Sequence, residues 1–271
     1  MAKPTLALIP ASQGSKLVSV LPSNGSGDFD FTRASAATRI NKDGFIETVA
    51  SGVSRLDYSG GGCPSLLLEP TATNLITYSE DFTQWSALNS TILSGDTTSP
   101  DGTITADRIT ATATGDSAFV RNTQSTQTVS TTYSFSCFIK KGTTNFVRLA
   151  NRAIGSAAES SAWFDIENGV VGTLGTLLAS SKIEDFGNGW FKCSLTGDIG
   201  ATISSQLTDI AGATSDGLTS VTTGDYIYYW GAQLEENSYA TSYIKTVGTT
   251  QTRTADTASG SGNSTVINSS E

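Results

Sequence analysis

Hydrophobic and polar residues alternate with a period of two in the most strongly patterned part of the chain, TTYSFSCFIKKG. One face of this segment carries Tyr133, Phe135, Cys137 and Ile139, and the residues between them are mostly polar. Successive side chains of a strand point to opposite faces, so the pattern predicts a half-buried central strand. A short apolar run at residues 146–149, beyond a glycine-containing turn, is the predicted hairpin partner of this strand.

Other segments combine short aromatic or β-branched runs with glycine turns, which is typical of sheet proteins. The clearest are residues 103–111, 162–166, 183–195 and 225–234, and a hairpin whose turn lies at residues 41–44. No segment longer than about twelve residues keeps the periodicity of an amphipathic helix. The sequence therefore predicts an all-β fold, a jelly-roll-like β-sandwich preceded by an N-terminal arm with short strands.

Residues 63–85 mark the beginning of the predicted sandwich. The three leucines at residues 66–68 are apolar on both alternating faces, which predicts a strand covered on both sides. Pro70 cannot donate a ladder hydrogen bond, so this strand should end near Glu69. A second strand is predicted at residues 74–78, beside residues 226–234, because the first and last strands of a jelly roll commonly lie side by side.

Composition divides the chain into three segments. Residues 1–62 are predicted to be a loosely built N-terminal arm that serves in attachment, and residues 63–248 form the predicted β-sandwich. Residues 249–271 are polar and low in complexity, as in a linker or tail. A glycine-rich stretch at residues 59–62 is interpreted as a hinge between arm and sandwich.

Charge and histidine content narrow the classes of function. The chain carries 16 Lys and Arg against 25 Asp and Glu, and its net charge of −9 would repel phosphate backbones, so we expect no nucleic-acid partner. No apolar run approaches the roughly 20 residues that span a bilayer, so we expect that the chain does not insert into a membrane. We also expect that it is made in a cytoplasm. The absence of histidine removes the commonest general base and metal ligand.

Three blocks of the sequence carry a resemblance to a known family. They are FTRASAATRINKDGFIE (residues 31–47), LLLEPTATNLITYSEDFTQW (residues 66–85) and YYWGAQLEENSYATSYIKT (residues 228–246). In this order they resemble a widespread family of bacteriophage virion proteins, tail-fibre or head-fibre proteins with a concanavalin-like or carbohydrate-binding-module-like β-sandwich. The resemblance implies a virion structural protein that is made in the host cytoplasm and assembles with other virion proteins.

The same resemblance gives the expected partners. We expect a symmetric homo-oligomer, with a trimer favoured, whose sandwich binds glycans of the host surface. The alternative is a purely architectural capsid decoration or head-fibre protein that binds no sugar. A depolymerase acting on polysaccharide is the least favoured hypothesis.

The sharpest candidate site is an aromatic platform for sugar rings. Pyranose C–H groups stack on flat aromatic side chains, and neighbouring polar groups bind the hydroxyls. The candidate carbohydrate-binding residues are Trp190, Trp85, Trp163, Tyr228 and Trp230. Trp190 is expected to be the most exposed, because it follows a Gly-Asn-Gly turn on the face opposite Phe191. The alternative for each aromatic residue is burial in the core.

Acidic residues and cysteines offer little chemistry. Glycoside hydrolysis needs two acids facing each other across a cleft, whereas residues 80–81 and 235–236 are adjacent pairs, interpreted as solvated turn or capping acids. We therefore expect no enzyme activity and no catalytic residue. No cofactor or assigned metal is expected; a structural calcium ion near Asp28, Asp30 and Asp43 stays open, although the spaced acidic ladder is missing.

The three cysteines, Cys63, Cys137 and Cys193, are interpreted as reduced, small core residues. Cys137 and Cys193 both lie in predicted strands, so a disulfide between them is the alternative.

Overall fold

The computed structural model describes residues 7–13, 16–21, 28–115, 117–124, 131–152, 154, 159–199 and 206–260. Their regular structure consists of β-strands and one 3₁₀ helix at Phe82–Gln84. The strands are β1 (Ala7–Gln13), β2 (Lys16–Leu21), β3 (Phe29–Thr32), β4 (Ala37–Ile40), β5 (Ile46–Val49), β6 (Arg55–Asp57), β7 (Ser65–Leu67), β8 (Ala72–Asn74), β9 (Ser86–Leu88), β10 (Ser90–Thr97), β11 (Ala106–Ala111), β12 (Phe119–Gln124), β13 (Thr132–Lys141), β14 (Phe146–Asn151), β15 (Ser161–Asp165), β16 (Val170–Leu174), β17 (Leu178–Asp185), β18 (Trp190–Asp198), β19 (Gln206–Ala213), β20 (Tyr226–Glu235), β21 (Gln251–Arg253) and β22 (Thr257–Ser259).

The chain divides into two compact units. The sandwich unit is Thr73–Gln251, and the terminal unit consists of the described residues of 1–72 and 252–271. The sandwich unit begins ten residues after its predicted start at residue 63, and it ends three residues after its predicted end at residue 248. Residues 252–260 belong to the terminal unit and include β22, which pairs with β3, whereas residues 261–271 of the predicted tail lie outside the described residues.

Among its described residues, the sandwich unit contains two antiparallel sheets of six strands each. The first sheet has the order β10-β11-β20-β13-β18-β17, and the second has the order β16-β15-β14-β19-β12-β9. The core between them includes Phe135 and Ile139 of the first sheet and Val147, Phe164 and Ile210 of the second. The prediction of an all-β sandwich is confirmed.

The patterned segment forms β13, a central strand of the first sheet between β20 and β18. Its predicted inward residues are buried in the core, but Ser134, Ser136 and Phe138 on the other face are buried as well. Residues 241–246 cover this outer face: Tyr243 packs edge-on against Phe138, and Lys192 donates to the carbonyl oxygen of Thr241 at 2.6 Å. The prediction of a half-buried strand is therefore wrong.

The predicted hairpin between β13 and β14 is also wrong. β14 pairs with β15 and β19 in the second sheet, so residues 142–145 connect one sheet to the other. At this connection a Cβ on Gly142 would lie 2.3 Å from the carbonyl oxygen of Tyr226, which explains the need for glycine. The strands and glycine turn predicted within residues 183–195 are confirmed, since β17 and β18 pair as a hairpin there.

The predicted strand at residues 74–78 is wrong, because β8 ends at Asn74, but the Asn74 side chain does join this segment to β20. Its Nδ2 donates to the carbonyl oxygens of Ala232 at 3.1 Å and Ile244 at 2.9 Å. Its Oδ1 accepts from the amides of Ile76 and Leu234, both at 3.1 Å. The expected proximity of residues 74–78 to β20 is confirmed, because one buried amide satisfies four backbone groups there.

The terminal unit contains the predicted hairpin, β4 paired with β5. Gly44 adopts φ 85° in its turn, and Asn41 Oδ1 accepts from two backbone amides. β7, in contrast, pairs with β6 and ends at Leu67, and Leu68 is 47% exposed. The predicted doubly covered leucine strand is therefore wrong.

Buried ion pairs hold the terminal unit together. Asp256 pairs with both Arg33 and Arg55, and Glu69 pairs with both Arg55 and Arg253. The three arginine side chains are 0–1% exposed. Removing one partner would leave a buried charge unpaired, which is strongly destabilising.

Candidate functional site

The four tryptophans proposed from the sequence do not form an exposed platform. Trp85, Trp163, Trp190 and Trp230 are between 1% and 5% exposed. The expectation that Trp190 is the most exposed is wrong, since its exposure is 2%. Sugar stacking on any of these rings would require the covering segments to move away.

Each buried indole has a hydrogen-bond partner that explains its position. Trp190 Nε1 donates to the carbonyl oxygen of Thr98 at 3.0 Å, and Trp230 Nε1 donates to Thr105 Oγ1 at 3.1 Å. Residues 98–105 therefore cover part of the outer face of the first sheet. Trp85 donates to Tyr78 and Trp163 to Leu218, in both cases to the carbonyl oxygen.

Tyr228 is the one predicted aromatic residue that stays partly exposed. Its ring contacts Tyr226 edge-on at a centroid distance of 5.5 Å, and the Arg108 guanidinium lies over the Tyr226 ring. Burial, followed by the neighbouring Tyr226, raises the pKa of the Tyr228 hydroxyl. Tyr228 thus packs against a neighbouring aromatic ring and is only partly exposed.

A cleft of about 410 Å³ lies elsewhere in the sandwich unit, and we call it the acidic cleft. Its walls combine carboxylates, one lysine and apolar side chains. The lining residues are Tyr78, Glu80, Asp81, Ser94, Gly95, Ile104, Thr105, Asp107, Lys245, Thr246 and Val247. The volume falls within the range of about 300–1,000 Å³ that is typical of small-molecule sites.

Asp107 lies in the wall of the acidic cleft and is 2% exposed. Its Oδ1 accepts from the amide of Gly95 at 3.1 Å, and its Oδ2 accepts from the amide of Phe82 at 3.2 Å. Burial raises the pKa of this carboxyl to about 6, and the charge of Asp81 adds to the rise. Both oxygens are thus occupied in joining the 3₁₀ helix to β10.

Glu80 holds another part of the cleft lining. Tyr243 donates its hydroxyl to Glu80 Oε1 at 2.9 Å, and Lys245 Nζ lies 2.7 Å from Oε2. The Lys245 side chain is 56% exposed, so its ammonium group keeps donors for a ligand. Glu80 was interpreted from the sequence as a solvated turn acid, whereas its side chain is only 12% exposed.

Apolar side chains complete the acidic cleft. Ile104 and Val247 are 70% and 71% exposed, and Tyr78, which is partly exposed, lines the cleft with them. A cleft with a partly exposed ring, charged hydrogen-bonding groups and apolar edges suits a ligand that has both C–H faces and hydroxyl groups.

Sequence reasoning missed Tyr78, Asp107 and Lys245. A signal existed for Asp107, because it shares its strand face with Ile109 and Ala111, which point inward. A charged residue at an inward position is unusual unless a specific partner is present. No comparable local signal distinguishes Tyr78 or Lys245.

The acidic pair at residues 235–236 was also interpreted as solvated, and the structure differs for Glu235. Glu235 is 1% exposed and accepts from the amide and hydroxyl of Thr241 at 2.9 and 2.5 Å. These two bonds hold residues 241–246 against the first sheet. The prediction of a solvated acid is wrong for Glu235.

Cys137 and Cys193 lie opposite each other in the β13–β18 ladder as buried free thiols, and burial raises the pKa of both. Cys63 is exposed, so its interpretation as a core residue is wrong. Within the described ranges, no group of three or more acidic or cysteine side chains is arranged to hold a metal ion. The same part of the chain contains no helix with the length and apolar character of a membrane span.

No family model and no curated protein matches the chain. Among solved structures, the chain is similar to the enzymatically active domain of tailspike protein 4 from bacteriophage CBA120, with a TM-score of 0.37 and 11% identity over 59% of this chain and 21% of that chain. It thus spans about a fifth of that tailspike chain.

The chain is also similar to carbohydrate-binding modules from the β-sandwich superfamily, with a TM-score of 0.38 and 14% identity over 86% of this chain and 98% of that chain. A third similar structure is the mannan-recognising carbohydrate-binding module TmCBM27, with a TM-score of 0.31 and 12% identity over 63% of this chain and 98% of that chain. These likenesses concern the sandwich fold alone, so a functional conclusion has to come from the acidic cleft.

Proposed function

We propose that this chain is a glycan-binding β-sandwich without catalytic activity and that its saccharide lies in the acidic cleft. One observation carries the proposal: the cleft places the partly exposed Tyr78 ring beside Glu80 and Lys245. A sugar would rest its C–H face on the ring, and its hydroxyl groups would bond to the carboxylates and the ammonium group. Asp107 positions the cleft wall, because both of its oxygens already accept backbone amides.

We further propose that the chain is a bacteriophage virion component, a tail or head fibre or appendage that is made in the host cytoplasm. The three sequence blocks that resemble phage virion proteins support this assignment. The compact terminal unit is the part that we assign to attachment to other virion proteins. A symmetric homo-oligomer, with a trimer favoured, would present several clefts to a host surface and raise avidity over a single weak site.

A glycan array tests the proposal, with the wild-type chain compared with Tyr78→Ala and Lys245→Gln. We expect the wild type to bind a defined group of glycans and each variant to lose about tenfold or more in affinity, as expected for a lost contact to a charged or aromatic group. Lys182→Gln is the matched control, because Lys182 is 67% exposed, pairs with Glu184 and does not line the cleft.

Binding that is lost equally in the control would refute the cleft as the site. Silence of the wild type towards every glycan at millimolar concentration would instead favour a purely architectural role in the virion.

A polysaccharide hydrolase is the second candidate. Asp107, with a pKa of about 6, shares the cleft with Glu80 and Asp81, and glycosidases use such an acid together with a second carboxylate. We place it second because neither oxygen of Asp107 is free of a backbone donor. Release of reducing ends from a polysaccharide by the wild type, but not by Asp107→Asn, would make the protein an enzyme.

A further inference from the structure

Three arginines surround one aspartate on the outer face of the second sheet. Asp209 of β19 lies opposite Arg121 of β12, and Arg148 projects from the neighbouring strand β14 on the same face. Arg121 donates to both oxygens of Asp209, at 2.6 and 2.7 Å. Arg152 Nη1 and Arg148 Nη2 lie 3.7 and 4.0 Å from Asp209 Oδ2. We call these four residues the arginine cluster.

Two of the three guanidinium groups keep unused donors. The Asp209 side chain is 0% exposed, and of the three arginines only Arg121 is hydrogen-bonded to it. The contacts from Arg148 and Arg152 are longer than hydrogen bonds. Neither group donates to another side chain among the described residues, and Arg148 Nε is buried without a partner.

The cluster carries an uncompensated charge. Three positive charges and one negative charge leave a surplus of two in a chain whose net charge is −9. The Arg148 side chain is only 6% exposed, and burying a charge without full pairing is costly. Burial lowers the pKa of Arg148; Asp209 opposes this effect, and Arg152 and Arg121 add to it.

A bound oxyanion would accept hydrogen bonds from the unused guanidinium donors and would balance the surplus positive charge. Guanidinium groups match the geometry of carboxylate, sulfate and phosphate oxygens, and charge-assisted bonds of this kind are stronger than neutral ones. The Arg152 side chain is 36% exposed, so its donors are accessible from solvent. The Phe119 ring, which stacks against Arg121 at 4.6 Å, holds that guanidinium in place.

We propose that the arginine cluster binds the carboxylate, sulfate or phosphate group of an acidic saccharide. This inference rests on the proposed function, because it adds a second, charge-selective subsite to a glycan-binding sandwich. The acidic cleft takes hydroxyl groups through carboxylates and one lysine, whereas the arginine cluster selects for negative charge. Glycans that carry acidic groups would therefore bind more tightly than their neutral counterparts.

Isothermal titration of the full chain tests the inference. The ligands are an oligogalacturonate, its neutral methyl ester, a sulfated oligosaccharide and inorganic phosphate. The variants are Arg148→Gln and the more exposed Arg152→Gln, each checked for an unchanged thermal transition. The matched control is Arg108→Gln, since Arg108 is 34% exposed and lies on the outer face of the other sheet, paired with Asp96.

We expect the wild type to bind an acidic oligosaccharide in a salt-dependent manner, and each cluster variant to weaken that binding about tenfold, with Arg108→Gln unchanged. Equal affinity of Arg152→Gln and wild type would overturn the inference, as would binding of inorganic phosphate without binding of any acidic saccharide. No binding of any of the anions at millimolar concentration would also overturn it.

Cleft variants separate this inference from the proposed function. If Tyr78→Ala leaves acidic-saccharide binding intact and neutral glycans never bind, the arginine cluster stands and the proposed cleft site fails. If neutral glycans bind through the cleft and the cluster variants have no effect on acidic ones, the proposed function stands and this inference fails.

Discussion

The side chain of Asn74 bonds three separate segments of the sandwich unit, so its removal tests how the fold is held together. Asn74→Ala deletes four hydrogen bonds at a position with 0% exposure. Because each bond contributes about 1 kcal/mol net, the free energy of unfolding should fall by about 4 kcal/mol. That is a large part of the roughly 5–15 kcal/mol by which domains are stable, and it corresponds to a fall of about 8–16 °C in Tm.

Urea and thermal unfolding, followed by circular dichroism, measure this change. The matched control is Asn168→Ala, because Asn168 is exposed and its side chain donates only to Asp165 Oδ2, at 2.8 Å. We expect the control to lose less than about 0.5 kcal/mol, as for ordinary surface substitutions. A loss below about 1 kcal/mol in Asn74→Ala would show that this amide does not hold the three segments together.

Two further predictions follow from buried groups. A pKa of about 6 for Asp107, against an ordinary value of 3.8, means that protonation stabilises the fold, fully below about pH 4 and no longer above about pH 6. As pH rises from about 4 to 7, the wild type should therefore become less stable relative to Asp107→Asn by about 1–3 kcal/mol. Parallel pH profiles of unfolding would refute this. With a thiol reagent, the native chain should react at exposed Cys63 and not at Cys137 or Cys193, whose thiol pKa values burial raises; mass spectrometry showing rapid labelling of either buried cysteine would contradict their burial.

Local alternation located β13, β15, β18 and β20, because side chains on the two faces of a strand alternate in its own sequence. It could not predict sheet membership at residues 142–145. A glycine-containing turn between two apolar runs has the same local pattern whether the chain turns back into one sheet or crosses to the other. β14 belongs to the second sheet because it pairs with β19, a strand that is distant in the sequence.

The tryptophans illustrate a second limit. Their positions on strand faces could be predicted, but nothing local in the sequence shows that residues 98–105 and 241–246 cover the outer face of the first sheet. Burial of Trp190 and Trp230 therefore depends on contacts between residues far apart in the chain. The acidic cleft is non-local for the same reason, since Glu80, Asp107 and Lys245 come from three separate segments.

Backbone NMR of the labelled chain, titrated with the glycan that the array selects, tests the central claim most directly. If the saccharide lies in the acidic cleft, the amides of Gly95, Asp107 and Lys245 should shift together, while those of β17 stay in place. Shifts confined to residues outside the cleft, or an unchanged spectrum at millimolar saccharide, would contradict the claim.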